Sequence, residues 1–288
     1  MFEFLEAENI DSELLRKLRA FREEHHPLLD SLRGRIPAPH YHYYGKDIWE
    51  QAAAALLCGK NLLLAGGKAT GKNVLAENLA AVFGRPAWNV SFHVNMDAAG
   101  LIGMDAFENG QVRFRPGPIY QCVEYGGFAI LDEINMAKNE VLAVLHSVLD
   151  FRRVIDVPGY DRIPMEPSTR FIATMNYGYA GTQELNEALT SRFSVIQMPT
   201  ISPENLDRLF AKQCPSLKKK YREQFAQLFL SFRRSARARR SPPRLWISGA
   251  CWMRWISCAQ VSPLGQLWIW VLPTKPLTAT NRALSGIL

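Results

Sequence analysis

The stretch Gly66-Gly67-Lys68-Ala69-Thr70-Gly71-Lys72-Asn73 restricts the fold more than any other part of the chain. It follows an apolar run, Asn61-Leu62-Leu63-Leu64-Ala65, and precedes a helical pattern that begins Val74-Leu75-Ala76. Strand, glycine-rich loop and helix in that order form the context of a phosphate-binding loop. Glycines let the backbone wrap closely around an anion. The loop amides and the helix N-terminus point at it, and Lys72 adds a full positive charge. A plain turn is the alternative reading of such a loop taken alone. The pattern ordinarily ends in Ser or Thr, whose hydroxyl binds Mg²⁺, whereas here it ends in Asn73. The side-chain carbonyl of Asn73 is also an oxygen donor acceptable to a hard cation.

After the loop, strands and helices alternate. Strands are expected at 61–65, 88–92, 127–131, 170–175 and 194–198. Helices are expected at 72–83, near 118–125, at 138–149 and at 183–190. This alternation predicts an α/β fold with a parallel sheet covered on both faces, and ligands in such sheets bind at the carboxyl ends of the strands. Hairpins are expected around residues 107–112 and 153–164, the second about Pro158-Gly159. Ahead of the loop, residues 12–33 read as one amphipathic helix ended by Pro37 and Pro39, and a second helix spans about 47–57. The His and Tyr residues of 40–44 lack a carboxylate or cysteine at ligand spacing, so a partly exposed linker is expected there rather than a metal site.

Three further runs carry chemistry. Phe128-Ala129-Ile130-Leu131 is a buried strand ending in Asp132-Glu133. Such a pair either marks a strand end or serves a site, Asp132 holding Mg²⁺ directly or through water and Glu133 orienting and deprotonating an attacking water. Phe171-Ile172-Ala173-Thr174-Met175 ends in Asn176, which is either a turn former or an amide that contacts a γ-phosphate and holds that water beside Glu133. Arg192, in Ala188-Leu189-Thr190-Ser191-Arg192-Phe193, has three readings: a surface residue, an ion-pair partner, or a planar donor to transition-state phosphate charge.

These four elements, in this order and spacing, resemble the AAA+ ATPases, and within them the dynein-related subgroup that includes the MoxR-like, CbbQ/NorQ and McrB-type motors. The resemblance spans roughly residues 46–200. It rests on GGKATGKN, FAILDEINMAK, RRVIDVPGYDRI, FIATMN and NEALTSRFSVIQMP. It implies that Gly66, Gly67, Lys68, Ala69, Thr70, Gly71, Lys72 and Asn73 bind the phosphates of ATP. It makes Asp132 and Glu133 the Walker B pair, with Mg²⁺ at Asn73 and Asp132. Asn176 becomes sensor 1, and Arg192 a finger offered to a neighbouring subunit. The 153–164 hairpin matches the pre-sensor-1 insertion and 93–115 the helix-2 insertion. A ring oligomer, usually a hexamer, and a partner that is often a von Willebrand factor A-domain protein are implied as well. A nucleotide-driven assembly module with little hydrolysis, and a GTP-using motor of the McrB type, are the alternative functions.

The net charge of +7 invites a nucleic-acid reading, but its distribution opposes one. After Glu223 there are nine Lys and Arg and no acid. With those nine taken from the total of 34, 25 basic residues face 27 acids in the body. No direct nucleic-acid partner is therefore expected. The scattered cysteines and the lack of an apolar leader run lead us to expect a cytoplasmic, non-membrane protein. The expected domains are an N-terminal helical segment and linker (1–45), a nucleotide-binding core (46–200), a partial helical lid (201–240) and an aberrant tail (241–288). The tail holds five of the seven tryptophans and no acid. Started one nucleotide earlier, the codons of residues 243–257 permit Lys-Ala-Leu-Asp-Leu-Arg-Gly-Leu-Leu-Asp-Ala-Leu-Asp-Leu, an amphipathic acidic helix of the kind a lid needs. A shift of reading frame near residues 235–243 is the expectation this raises.

Overall fold

The computed structural model describes residues 1–25, 29–157, 159–160, 162–176, 184–238, 260–261 and 267–268. The chain divides into two compact units, Met1–Asn205 and Leu206–Leu288.

The first unit opens with four helices, α1 (Phe2–Ala7), α2 (Ser12–Glu24), α3 (Asp30–Arg33) and α4 (Lys46–Leu57). Strand β1 (Asn61–Ala65), helix α5 (Lys72–Phe83), strand β2 (Ala87–Ser91) and helix α6 (Ala99–Ile102) follow. Next come a hairpin of β3 (Gly103–Glu108) and β4 (Gln111–Pro116), then α7 (Pro118–Tyr125), β5 (Phe128–Asp132) and α8 (Asn139–Val148). A short pair, β6 (Val154–Ile155) with β7 (Ile163–Pro164), leads to β8 (Arg170–Met175), α9 (Glu187–Thr190) and β9 (Phe193–Gln197). Helix α10 (Pro203–Gln213) starts in this unit and runs on into the second.

Five strands form one sheet in the order β2-β5-β8-β1-β9, and every neighbouring pair is parallel. The apolar strands alternate between two cores because successive side chains point to opposite faces. Leu63, Ala129, Leu131, Phe171 and Ala173 join the core that contains Ile119, Val123, Leu142 and Leu145 from α7 and α8. Leu62, Leu64, Phe128, Ile130 and Ile172 face the other way, against Trp49, Leu56, Leu75 and Leu79 from α4 and α5. Helices thus cover both faces, which is why the strands read as continuous apolar runs. The same second core takes in Leu14, Leu15, Leu18 and Phe21 of α2. The expected α/β fold with a covered parallel sheet is present. The sheet is entered at β1, and the chain later builds on both sides of it. The crevice this creates at the carboxyl ends is where ligands of such sheets bind.

The structure corrects several boundaries. The expected helix over 12–33 is two helices. The first ends at Glu24, where His25 takes φ −116° and ψ 68°. Pro27, which has no amide to continue the ladder, lies outside the described residues along with His26 and Leu28. The helix expected at 183–190 covers only Glu187–Thr190, capped by Asn186, whose side chain accepts from the Ala188 amide at 2.8 Å. Residues 184–186 are not helical and Gln183 lies outside the described residues. Within the expected linker at 40–44, Tyr43 is buried. Both hairpins are present, though Pro158 falls outside the described residues. Tyr160 donates from its hydroxyl to Asp105 Oδ1 at 2.5 Å and its ring meets Phe114 at 4.9 Å, so the second hairpin packs on the first.

In the second unit, α11 (Lys219–Ala238) follows α10. Arg222 Nε donates to Asp207 Oδ1 at 2.8 Å, joining the two helices. Beyond 238 the described residues are β10 (Gln260–Val261) and β11 (Leu267–Trp268), which pair antiparallel. The rest of the tail, including its expected frame shift, lies outside the described residues.

Candidate nucleotide site

Register brings the site together. Leu64 pairs with Thr174 and Ala65 with Met175, while Leu131 pairs with Ala173. The carboxyl ends of β1, β5 and β8 therefore stop at one level, with the 66–73 loop, Asp132-Glu133 and Asn176 adjacent. The Gly66 amide donates to the Met175 carbonyl at 3.2 Å, fastening the start of the loop to β8.

The loop needs its glycines. A Cβ at Gly66 would stand 3.0 Å from Met198 Cβ and 3.1 Å from the Met198 carbonyl oxygen. Gly71, the residue that caps α5, has φ +86°, a left-handed conformation in which a side chain clashes with the backbone. Ala69 is also left-handed, at φ +55°. Such alternation of backbone hand turns successive amides toward a common point and makes an anion-binding concavity. Thr70 donates from its hydroxyl to the Gly67 carbonyl at 3.0 Å and braces the turn. Lys68 is half-buried and Ala69 exposed. Lys72 is buried and its Nζ donates to the carbonyls of Gly66 (3.1 Å) and Gly67 (2.8 Å) and to Asn176 Oδ1 (2.8 Å).

From Asn176 a continuous set of hydrogen bonds runs across the site. Asn176 Nδ2 donates to Glu133 Oε1 at 2.8 Å. The Glu133 amide donates to Thr174 Oγ1 at 3.1 Å, and that hydroxyl donates to Asp132 Oδ1 at 2.6 Å. Asn73 Nδ2 donates to Asp132 Oδ2 at 2.9 Å. Glu133 itself is left-handed at φ 54°, ψ 45°. A non-glycine residue held there is strained by about 1–3 kcal/mol and persists because its surroundings over-determine it. Here the surroundings are two fixed bonds, one at its amide and one at its carboxylate.

Asp132 and Glu133, Lys72, Asn73 and Asn176 thus lie together. Arg192 does not join them. It precedes β9 at the amino-terminal edge of the sheet, where Asn61 Nδ2 donates to its carbonyl at 3.4 Å. The length of β1, about 15 Å, separates it from the loop. Its side chain donates to the Ala188 carbonyl and lies 3.9 Å from Asp150 Oδ2, while its buried Nε has no hydrogen-bond partner among the described residues. Arg152, hydrogen-bonded to Asp150 and with Arg192 beyond it, holds that carboxyl below the usual aspartate range. Lys60, Asn61, Asp150, Phe151 and Arg192 line a cavity of about 650 Å³ at this edge.

Three positions that hold the candidate site together escaped the sequence reading. Thr174 bridges Asp132 and Glu133. A lone hydroxyl in an otherwise apolar strand was the available signal. Asn135 Nδ2 donates to the Asn176 carbonyl at 2.7 Å and fixes that residue from behind. Tyr43 packs beneath the loop, so that a Cβ at Gly71 would come 3.0 Å from its ring. The Tyr43 amide donates to Asn78 Oδ1 at 3.1 Å and its carbonyl accepts from Trp49 Nε1 at 2.8 Å. Burial pushes its phenol up to about 12. Only contacts distant in sequence reveal the last two.

Hard oxygen donors fit a divalent cation beside phosphates, and the Asp132 carboxylate, half-exposed at a strand end, meets that requirement. Asn73 stands next to it, though the atom it turns to Asp132 is the amide nitrogen and not the carbonyl oxygen. Among the described residues no helix is long and apolar enough to cross a membrane.

Comparison with known proteins agrees with this geometry. The family described as "AAA domain (dynein-related subfamily)" matches residues 61–193. The uncharacterized protein YojN of Bacillus subtilis is 35% identical over 224 residues, covering 76% of this chain and 73% of that protein. An uncharacterized protein of Staphylococcus saprophyticus is 36% identical over 179 residues, covering 59% of this chain and 68% of its own length. In fold, the chain is similar to a crystal structure of a candidate ATPase from Cytophaga hutchinsonii, with a TM-score of 0.51 at 17% identity over 82% of this chain and 68% of that one. With the loop, the paired carboxylates and the asparagine joined by hydrogen bonds at one end of a five-stranded parallel sheet, the chain belongs to the dynein-related subfamily of the AAA+ ATPases.

Proposed function

We propose that this chain binds and hydrolyses ATP and uses the cycle, as a MoxR-like motor, to remodel or activate a protein partner. The observation that carries the reading is the hydrogen-bonded line from Lys72 through Asn176 to Glu133, which couples the phosphate-binding cation to the carboxylate. Lys72 and the loop amides hold the β- and γ-phosphates. Glu133 accepts from Asn176 at Oε1, leaving Oε2 to take a proton from the attacking water. Asn176, bonded to both Lys72 and Glu133, sets the distance between phosphate and base. Asp132, with Asn73 beside it, would hold Mg²⁺, which would neutralise phosphate charge.

Arg192 faces away from its own chain's site and serves the site of a neighbouring copy, which calls for a ring, six-membered in most of the family. The partner we expect is a von Willebrand factor A-domain protein. The test is release of phosphate from ATP and from GTP with Mg²⁺, with Glu133→Gln as control. Release from ATP that falls about 10²–10⁴-fold in the variant, as for loss of a general base, supports the reading. Equal slow release by both proteins rejects hydrolysis and leaves a nucleotide-switched assembly module. The substitution of Asn73 at the cation position favours that second reading. Preference for GTP would point to the McrB type.

A further inference from the structure

Both carboxylate oxygens of Asp132 accept from neutral protein donors, Oδ1 from Thr174 at 2.6 Å and Oδ2 from Asn73 Nδ2 at 2.9 Å. The second bond is a consequence of residue type. A serine or threonine hydroxyl at position 73 does two jobs with one atom: it donates to the carboxylate and offers the same oxygen to a cation. The asparagine amide divides those jobs between two atoms on opposite sides of its terminal carbon. With Nδ2 committed to Asp132, Oδ1 is turned from that carboxylate, at the end of a side chain longer than serine's. Asn73 is exposed, so water competes for any position that Oδ1 offers. Mg²⁺ demands near-ideal octahedral geometry and gives up its water reluctantly, so a displaced neutral carbonyl is a poor replacement for a hydroxyl at the required place.

We propose that Asn73 is a tether for Asp132 and not a cation ligand, and that it uncouples nucleotide binding from the divalent cation. The inference rests on the nucleotide-site reading above and deepens it. Affinity for the nucleotide comes from Lys72, the loop amides and the N-terminus of α5, which are present whether or not a cation is. The protein link that ordinarily makes the cation part of the binding site is missing, because the residue that should provide it is bonded to Asp132 by the wrong end.

The test is the dissociation constant of a fluorescent ADP, which undergoes no γ-phosphate hydrolysis, in Mg²⁺ and in EDTA. It is measured for the unaltered chain, for Asn73→Thr and for Asn73→Ser, with Lys72→Ala as a control that removes binding in both buffers. For the unaltered chain the two constants should agree within about threefold. In the hydroxyl variants affinity in Mg²⁺ should exceed that in EDTA by about tenfold, the scale of one added charge-assisted contact. Electron paramagnetic titration of Mn²⁺ with ADP present gives a second readout, with tighter Mn²⁺ retention expected in the hydroxyl variants. A Mg²⁺-to-EDTA ratio in the unaltered chain as large as in Asn73→Thr and Asn73→Ser overturns the proposal while leaving the nucleotide site standing. Failure of every protein to bind ADP in either buffer overturns both.

Discussion

Thr174→Val tests whether one buried hydroxyl sets the positions of Asp132 and Glu133. Thr174 is fully buried, and its Oγ1 both donates to Asp132 Oδ1 at 2.6 Å and accepts from the Glu133 amide at 3.1 Å. Valine keeps the shape and removes both bonds. A hydrogen bond to a charged group contributes about 1.5–3 kcal/mol, and an orphaned buried amide costs about 1–3 kcal/mol. These terms overlap, since Asp132 can turn to water, so a net loss of about 3 kcal/mol is expected. Thr174→Ser keeps the hydroxyl and loses one methyl, which costs about 1 kcal/mol. Urea unfolding followed by circular dichroism should therefore place the midpoint of the valine variant below that of the serine variant. For slopes of about 2–3 kcal/mol/M the gap approaches 1 M. Valine should also lower phosphate release more than nucleotide affinity, because Glu133 leaves its left-handed position. A serine variant as unstable as the valine variant, or more so, would show that position 174 is a packing site and refute the argument.

Other outcomes follow from the same geometry. Arg192→Ala should slow phosphate release by about 10³-fold without weakening nucleotide binding, and mixing it with inactive Glu133→Gln should restore activity if the arginine serves a neighbour's site; full activity of the single variant rejects the finger role. Gly71→Ala forces a left-handed alanine against the Tyr43 ring, so nucleotide affinity should fall and stability should drop by about 1–2 kcal/mol, which isothermal calorimetry and urea titration would register. The Tyr43 phenol, raised from 10 to about 12 by burial, keeps its proton in the folded state after it is lost in the unfolded one. Stability should accordingly fall as pH rises from 10 to 12, and Tyr43→Phe should remove that part of the slope. Sequencing the gene across codons 235–243 should reveal a frame change that restores an acidic, amphipathic lid; an intact frame shared by close relatives excludes it.

The sequence by itself determined the parts whose chemistry is local. The glycine loop, the Asp132-Glu133 pair, Asn176 and the alternation of apolar strands with helices were legible because each depends on residues a few positions apart. Boundaries slipped by one residue at β2, β5 and β9, where flanking residues suit either state. The tertiary structure decided what depends on distant neighbours. Strand order and register made Thr174 the bridge between the Asp132 carboxylate and the Glu133 backbone amide, and nothing in the FIATMN run alone says that β5 lies beside it. Sheet polarity placed Arg192 about 15 Å from the loop although both flank β1. The amide of Asn73 could have offered either end to Asp132, and a carboxylate with only lone pairs to present selects the nitrogen. Local pattern names the donors and acceptors available to a site, but which of them meet is set by packing over the whole sheet.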